Sequence, residues 1–245
     1  NLKCDICPLM AMKKHLPNAI TLLNLFFGCM ALTAVFRGDV YAVAAFTAAA
    51  ALADFLDGAL ARLLHVHSPL GAQLDSLADA VSFGLVPGAV FFYLLGGTQT
   101  DGFSWEAAPG FVLTLFAVLR LGRFNLDTRQ TEHFIGLPTP AATIFVLGWL
   151  LAVHTDALGW GAALGRKEFI YAAIVGLSWL MNAELPMFSL KFKAFQWKGN
   201  EIRIIFAAAS VGLLVWLQSA ALLPIILAYI VVSVILHRLH SNRKP

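Results

Sequence analysis

Charged residues are scarce in this sequence. Asp, Glu, Lys and Arg together make up 13% of the 245 residues, whereas 59% are hydrophobic and the mean hydropathy is +0.77. An ordinary soluble domain carries about 25% charged residues. The composition therefore excludes a typical soluble domain and predicts an integral membrane protein.

Cysteines and dense basic tracts are also few. Cys4 and Cys7 form a C-x-x-C pair near the N-terminus, and Cys29, the third cysteine, lies in an apolar run. Without a second pair, the motif does not indicate a zinc site or a redox centre. The net charge of +3 contains no concentrated Lys/Arg run, so nucleic acid is not expected as a partner.

Long apolar runs, by contrast, are frequent. Because a helix needs about 20 apolar residues to cross a bilayer, the sequence predicts an all-α transmembrane bundle of about eight helices in a single domain over 1–245. A cytoplasmic or interfacial segment over 1–16 precedes them. The first run is long enough to span and no small-residue cleavage site follows it, so a retained helix is expected rather than a signal peptide. The eight runs are 17–36, 40–62, 72–95, 108–126, 139–154, 168–185, 202–218 and 221–238.

The basic residues predict the orientation. If the N-terminus is inside, the outer loops contain three of the 17 Lys and Arg residues, Arg37, Arg166 and Lys167, and the inner segments contain the other 14. Positive residues accumulate in cytoplasmic loops. Both termini, and the loop between the second and third runs, are therefore predicted to face the cytoplasm from the cell's inner membrane.

Four aspartates lie within the stretch DFLDGALARLLHVHSPLGAQLDSLAD, residues 54–79. Asp54 and Asp57 are three residues apart, and Asp75 and Asp79 are four apart, so each pair shares one face of its helix. The intervening loop turns the chain, which lets the two pairs face one another. Four carboxylates are expected to converge near the membrane surface.

Such a cluster needs cationic compensation, because each ionised aspartate at depth costs roughly 2.5–3.5 kcal/mol. Arg62 is the one fixed cation within the stretch. Two divalent metals fit better, and oxygen-only ligation favours Mg²⁺, Mn²⁺ or Ca²⁺ over zinc. Aspartates that reach from helix ends to water are the simpler alternative. His65 and His67 lie in the loop and are interpreted as solvated interfacial side chains.

Small residues accompany the aspartates. Gly58 and Ala61 share the aspartate face of the second helix, and Gly71 opens the third, so a bulky group can approach the backbone there; close helix packing is the alternative explanation. Arg62 lies one turn beyond Gly58, within reach of a phosphate. Metals beside a cleft and an arginine indicate phosphoryl transfer.

The full pattern is Asp54-x₂-Asp57-Gly58-x₂-Ala61-Arg62-x₈-Gly71-x₃-Asp75-x₃-Asp79. It resembles, position for position, the signature of the CDP-alcohol phosphotransferase family. The resemblance implies a core of six helices, here with two more, a homodimer and a cytoplasmic site with two divalent cations, Mg²⁺ or Mn²⁺, with Ca²⁺ as a non-productive occupant. It also implies transfer of a phosphatidyl group from a CDP-activated lipid to a hydroxyl, with release of CMP.

The resemblance further implies roles for the matching residues. Asp54, Asp57, Asp75 and Asp79 would be metal ligands, and Asp79 would also be the general base. Gly58, Ala61, Arg62 and Gly71 would border the cytidine diphosphate. In the first helix, Asn18, Thr21 and Asn24 fall on one line near the cytoplasmic end and are candidates to bind cytosine or ribose, although Asn18 is equally well explained as a helix cap.

Segments outside the signature indicate the acceptor. The segments LPNAITLLNLFFG, SFGLVP and LRLGRFN…FIGLPTPAA, in residues 16–28, 82–87 and 119–142, resemble the membrane-integral phosphatidylserine synthases of the family. This implies CDP-diacylglycerol and L-serine as substrates, among membrane lipids.

Serine is a zwitterion, so its pocket needs a cation and hydrogen-bond acceptors. Arg120 and Arg123 end the fourth helix, followed by Asn125 and Asp127, and are candidates to bind the lipid phosphate or the serine carboxylate. Anchoring of the inner membrane face is the alternative for both arginines and the preferred explanation for Arg129.

Two other functions stay open at this stage. A sister phosphatidyltransferase would use glycerol 3-phosphate or an inositol phosphate, but would need more cations than these arginines provide. A divalent-cation transporter would need polar residues across the membrane, whereas SFGLVPGAVFFYLL beyond Asp79 is apolar.

Overall fold

The computed structural model describes residues 7–66, 68–99, 102–126, 134–156, 159–187 and 200–241, and the chain is mostly helical in these ranges. Cys4, His67, Asp127 and Arg129 lie outside the described residues, as does the basic loop over 188–199. Within the ranges, the α-helices are α1 (Cys7–Arg37), α2 (Val40–Leu63), α3 (Pro69–Asp79), α4 (Val86–Leu94), α5 (Val112–Leu126), α6 (Thr139–Thr155), α7 (Gly161–Leu164), α8 (Lys167–Asn182), α9 (Glu201–Leu217) and α10 (Leu222–Ser241).

Each of the eight predicted apolar runs contains helix, which confirms the helical fold class. Four helical segments are long and apolar enough to cross a membrane. Two further apolar helices, Thr139–Thr155 and Leu222–Leu236, are shorter. A helical membrane bundle is therefore the architecture of this chain. The four long segments are His15–Arg37, Val40–Leu63, Pro69–Leu94 and Ala108–Leu126.

Local capping fixes the turn between α2 and α3. The Ser68 hydroxyl accepts a hydrogen bond from the Gly71 amide at 2.9 Å, and Pro69 occupies the first helical turn, where its missing amide is not needed. Just before, His65 has a φ of 53°, which helps the chain to reverse. The end of α2 and the start of α3 consequently lie side by side.

Helices α4 and α6 form the centre of the bundle. Most of α6 is buried, and Trp149 packs edge-on against Phe91 of α4 with ring centroids 6.3 Å apart. Helix α10 approaches α6 closely, since a Cβ on Gly148 would lie 2.7 Å from the Leu223 nitrogen. At the periphery, α9 has no buried residue among its described side chains, and Trp216 is 80% exposed. Large exposed apolar side chains suit contact with lipid.

A π-helical turn over Ala80–Leu85 joins α3 to α4 in one continuous helix. Three neighbouring helices form hydrogen bonds with it. The Ser82 hydroxyl donates to the Asn24 carbonyl of α1 at 3.1 Å, Thr114 of α5 donates to the Gly84 carbonyl at 3.0 Å, and Thr143 of α6 donates to the Phe83 carbonyl at 3.2 Å. The wide turn is therefore held on three sides directly after Asp79.

A short ladder, absent from the sequence prediction, precedes α6. Strands β1 (Phe134–Ile135) and β2 (Pro186–Met187) pair antiparallel. Gly136 follows β1 with a φ of 75°, and a Cβ there would lie 2.3 Å from the Met181 carbonyl oxygen. Only glycine fits this position, so the loop before α6 packs against the end of α8.

Candidate active site

Three carboxylates meet where α2 and α3 lie side by side. Asp54 and Asp57 come from the last turns of α2, and Asp75 comes from the facing side of α3. One ligand oxygen from each lies within 4.8 Å of the other two. The turn between the helices thus brings together three of the four aspartates that the sequence singled out.

Asp57 is the most enclosed of the three. Its side chain is only 6% exposed, and its Oδ2 has no hydrogen-bond partner in the described part of the chain. Thr21 of α1 and the Gly58 amide lie beside the carboxylate. Among the described residues, no Lys or Arg nitrogen lies within salt-bridge distance of the cluster. A buried, unpaired carboxylate group fits a hard divalent cation, which prefers oxygen ligands.

Asp79 lies one helical turn beyond Asp75. Its Oδ1 accepts a hydrogen bond from the Asn24 amide nitrogen at 3.2 Å, and Asn24 is completely buried. The negative charges of Asp54 and Asp75 act on it. Asn24, a candidate for cytosine or ribose from sequence, is therefore placed against the predicted general base instead. Because Asn24 donates, it holds Asp79 as an acceptor.

Open space borders the cluster on the α2 side. The nearest atom that a Cβ on Gly58 would meet is the Arg62 Nη1, at 4.0 Å. Arg62 is exposed and Ala61 is partly exposed, both on the turn after Gly58. A phosphate-sized group can consequently approach this face of α2.

On the α1 side, the packing is tight. A Cβ on Gly71 would lie 2.9 Å from the Asn18 Oδ1 and 3.0 Å from the Ser68 hydroxyl. Glycine at position 71 thus lets α1 approach the start of α3. Thr21 is buried and donates to the Pro17 carbonyl at 3.1 Å. Asn18 and Thr21 line the same approach to the cluster from α1.

The two arginines of α5 lie in different environments. Arg120 is only 7% exposed, its Nη1 lies 3.5 Å from the Thr139 hydroxyl, and its guanidinium lies 5.7 Å from the Phe124 ring centroid. Arg123 is exposed. Asn125 donates to the Ser76 hydroxyl at 2.8 Å and so links α5 to α3. Arg120 is therefore the arginine that the fold turns inward.

Helix α10 contains a buried tyrosine that the sequence analysis did not single out. Tyr229 is 6% exposed, and its ring centroid lies 6.1 Å from that of Phe206 in α9. The sequence feature that could have drawn attention to this helix is the pair Tyr229 and Ser233, one helical turn apart in an otherwise apolar run.

The site belongs to a known family of enzymes. Residues 14–187, well over half of the chain, match the family model described as CDP-alcohol phosphatidyltransferase. The chain belongs to the CDP-alcohol phosphatidyltransferase family. This match confirms the family resemblance that the spacing of the four aspartates indicated.

Several proteins are similar to this chain over much of its length, and each is named CDP-diacylglycerol–serine O-phosphatidyltransferase. The Mycobacterium leprae protein is 34% identical over 179 residues, covering 70% of this chain and 57% of its own length. The Mycobacterium bovis protein is 33% identical over 228 residues, covering 89% and 74%. The Saccharomyces cerevisiae protein is 36% identical over 156 residues, covering 57% and 55%.

The region that matches the CDP-alcohol phosphatidyltransferases contains all four aspartates and Arg120. It ends before α9 and α10, so Tyr229 lies outside it. The chain spans little more than half the length of the Mycobacterium leprae relative, at 57%.

Proposed function

We propose that this protein transfers the phosphatidyl group of CDP-diacylglycerol to the hydroxyl of L-serine, giving phosphatidylserine and CMP. The observation that carries the proposal is the group of three converging carboxylates with Asp79 one turn away. The names of the similar proteins in Mycobacterium leprae, Mycobacterium bovis and Saccharomyces cerevisiae support serine as the acceptor.

Asp54, Asp57 and Asp75, with Asp79, would hold two divalent cations, Mg²⁺ or Mn²⁺, and Ca²⁺ would occupy the site without supporting turnover. The buried Oδ2 of Asp57, which has no partner in the described part of the chain, supports this assignment. Bound cations supply charge neutralisation for the diphosphate and for the departing phosphate of CMP.

The donor nucleotide binds between α1 and the end of α2. Gly58 and Ala61 leave room for the diphosphate beside the carboxylates, and the exposed Arg62 can contact a phosphate oxygen. Asn18, Thr21 and Gly71 border the same space, and the side chains of Asn18 and Thr21 are the candidates to hydrogen-bond ribose or cytosine. The acyl chains remain in the bilayer, next to the exposed apolar side chains.

Asp79 acts as the general base. The serine oxygen attacks the phosphorus that carries the diacylglycerol, its proton passes to the Asp79 carboxylate, and the bond to the bridging oxygen breaks so that CMP leaves. The hydrogen bond from Asn24 orients Asp79 for this transfer. One P–O bond forms and one breaks, so no further reactant is required.

The acceptor binds on the side of the carboxylate cluster that is opposite the donor nucleotide, near the end of α5. The buried Arg120 is the candidate for the serine carboxylate, and the exposed Arg123 is the candidate for a lipid phosphate. Asn125 connects this region to α3 through Ser76 and completes the acceptor side. The same proposal includes the membrane topology, with eight spans and with both termini and the site on the cytoplasmic side of the inner membrane. It also includes a homodimer as the assembled form.

CMP release from CDP-diacylglycerol by the detergent-purified protein tests the proposal. L-Serine, glycerol 3-phosphate, inositol 1-phosphate or no acceptor is supplied in parallel with Mg²⁺ or Mn²⁺, and Asp79→Asn is the matched inactive variant. We expect release that needs both serine and metal and is lost in Asp79→Asn.

Other outcomes would change the conclusion in defined ways. Release with glycerol 3-phosphate or inositol phosphate instead of serine would assign a sister activity with the same chemistry. No release under any condition would contradict the transferase proposal and favour transport or binding of cations.

A further inference from the structure

Helix α6 begins without a side-chain cap. Its N-cap residue is Pro138, which forms no capping hydrogen bond. The Ala142 amide donates to the Pro138 carbonyl at 3.0 Å, and Pro140 has no amide hydrogen. The amides of Thr139 and Ala141 have no acceptor among the described residues. Two backbone donors are therefore available at the positive end of a 17-residue helix.

The guanidinium of Arg120 lies at the same helix start. Its Nη1 is 3.5 Å from the Thr139 hydroxyl. Arg120 is only 7% exposed, and its Nε has no hydrogen-bond partner in the described ranges. Thr139 is 1% exposed, so bulk water does not serve its amide. Buried donors without partners are costly, and an anion bound between the arginine and the helix start would satisfy them.

The hydrogen bonds of α5 fix the depth of Arg120 in the bundle. Asn125, near the end of α5, donates to Ser76 of α3, and Thr114, near its start, donates to the Gly84 carbonyl of the π-helical turn. The two contacts show that α5 runs antiparallel to the aspartate helix. Arg120 is about midway between Thr114 and Asn125, so it is level with the point where α3 passes into the π-helical turn.

The contact between α6 and the π-helical turn gives the same depth for the helix start. Thr143 of α6 donates to the Phe83 carbonyl at 3.2 Å. One helical turn earlier, α6 reaches Thr139, and one turn earlier the other segment reaches Asp79. Because the two segments run in the same direction, Thr139 and Asp79 are level on neighbouring helices, whose axes lie about 8–10 Å apart. A small acceptor with a hydroxyl and a carboxylate fits this separation.

The loop before α6 holds the helix start in place. The Gly136 amide donates to the Leu185 carbonyl at 2.9 Å, and the Leu137 amide donates to the Leu180 carbonyl at 2.9 Å. Leu137 is completely buried. These contacts attach the loop to the end of α8, so the free donors of α6 are already ordered before a ligand arrives, which favours binding.

We propose that the N-terminus of α6 and the Arg120 guanidinium form an anion-binding site for the carboxylate of the acceptor, with the amides of Thr139 and Ala141 as backbone donors. This inference rests on the proposed function, since it adds backbone donors to the acceptor side of the same site. Helix N-termini bind carboxylates and phosphates alike, so the lipid phosphate of the donor is the other source of a matching anion.

Ala141→Asp tests the site by filling it. An aspartate in the first turn of a helix suits the helix dipole, so stability should not fall, but its carboxylate competes for the free donors and repels a second anion. In CMP release, we expect the KM for serine to rise at least about tenfold, the effect of lost hydrogen bonds to a charged group. The KM for CDP-diacylglycerol and kcat at saturating serine should stay within about twofold.

Ile202→Asp is the matched control. It places the same charge in the first turn of α9, where Ile202 is 45% exposed, and it should leave both KM values unchanged. Ala141→Asn adds similar volume without the charge, so its effect on the KM for serine should be smaller than that of Ala141→Asp. Arg120→Lys removes the Nε donor and the planar fork and should raise the KM for serine selectively. This variant keeps the test decisive if Ala141→Asp folds poorly.

Thermal unfolding adds a measurement that needs no turnover. L-Serine should stabilise the wild type and should not stabilise Ala141→Asp. An unchanged KM for serine in Ala141→Asp would overturn the inference while leaving the transferase intact. A rise in the KM for CDP-diacylglycerol, alone or in parallel, would also overturn it, because the helix start would then bind the lipid phosphate or support the whole site.

Failure of the proposed function gives a different result. If the wild type releases CMP with glycerol 3-phosphate rather than serine, the serine activity fails, and a selective rise in the KM for glycerol 3-phosphate in Ala141→Asp would still support the anion site. If no acceptor supports release, stabilisation by serine that Ala141→Asp abolishes would support the anion site without the transferase. The absence of any stabilisation would overturn both.

Discussion

Asp57 shows most directly how single residues define this site. A carboxylate that is 6% exposed and has one oxygen without a partner in the described chain destabilises a fold unless a ligand compensates. Asp54 and Asp75 add repulsion from within 4.8 Å. The physical cost of keeping this buried carboxylate beside two partly buried ones is the strongest local argument for a cation at this position.

We expect Asp57→Asn to lower CMP release by more than about 100-fold, since even residues that only support metal ligands cost roughly 10- to 100-fold. The metal-free protein should not lose stability, because one repelling charge is removed. Thermal unfolding with and without Mg²⁺ checks this: the wild type should gain stability from the metal, and Asp57→Asn should gain little.

The control is Asp39→Asn at the other end of α2. Asp39 caps the helix by accepting from the Ala42 amide at 3.0 Å, and asparagine caps equally well, so activity should not change. Full activity of Asp57→Asn at ordinary Mg²⁺ concentrations would argue against its role as a ligand.

The contact between Asn24 and Asp79 leads to a second prediction about a single residue. Replacing it with leucine removes the hydrogen bond to Asp79 and should lower kcat about tenfold or more, because a general base must be aimed at its proton. The KM for CDP-diacylglycerol should change little. Steady-state kinetics of Asn24→Leu measure this, with Thr33→Val on the same helix as control, since the Thr33 hydroxyl donates to the Cys29 carbonyl of its own helix.

An unchanged kcat in Asn24→Leu would show that Asp79 is oriented by other contacts. A fall in both kcat and donor affinity would instead point to a direct contact between Asn24 and the nucleotide, as the sequence first suggested.

Among the secondary-structure elements, the π-helical turn over Ala80–Leu85 bears most directly on the position of Asp79. Such turns are rare and occur frequently at functional sites. Here the turn follows Asp79 directly, and side chains of α5 and α6 donate to its carbonyls. These contacts join the aspartate helix to α5 and α6, so the direction of Asp79 depends on these two helices as well as on α3.

Thr114→Val tests this connection. It keeps the side-chain shape but leaves the buried Gly84 carbonyl without its donor at 3.0 Å, which should destabilise the protein by about 1 kcal/mol. Unfolding with SDS in mixed micelles measures the difference. Thr47→Val is the control, because the Thr47 hydroxyl donates to the Val43 carbonyl of its own helix. Equal stability of the two variants would show that the turn does not need this contact.

For the molecule as a whole, the property to test is the orientation of the chain in the membrane. The distribution of basic residues predicts that the turn between α2 and α3 faces the cytoplasm and that the loop after α4 lies on the other side of the membrane. Both turns offer an exposed residue for labelling, His65 and Gln99 respectively. The three cysteines are few enough to replace with serine.

In that cysteine-free background, we expect Gln99→Cys to react with an impermeant maleimide in right-side-out membrane vesicles. His65→Cys should react only after the membrane is permeabilised, since the site is predicted to face the cytoplasm. CMP release by each variant verifies that the fold is kept. The reverse labelling pattern would invert the topology and place the aspartates outside.

The sequence by itself determined the membrane class, the helical runs and the aspartate spacing. Each of these is local: apolar length sets a possible span, and a separation of three or four residues puts Asp54 with Asp57, and Asp75 with Asp79, on one helix face. Ser68 and Pro69 also mark the start of α3 in the sequence. The family signature falls within this local information.

Tertiary structure decided which distant groups meet. Asn24 reaches Asp79 across 55 positions and Thr143 reaches Phe83 across 60, and α10 packs closely against α6 at Gly148. No periodicity encodes such pairs, because they depend on which faces of separate helices pack together. The sequence showed four carboxylates; packing decided that oxygens of Asp54, Asp57 and Asp75 converge within 4.8 Å and that Asp79 accepts a hydrogen bond from the buried Asn24.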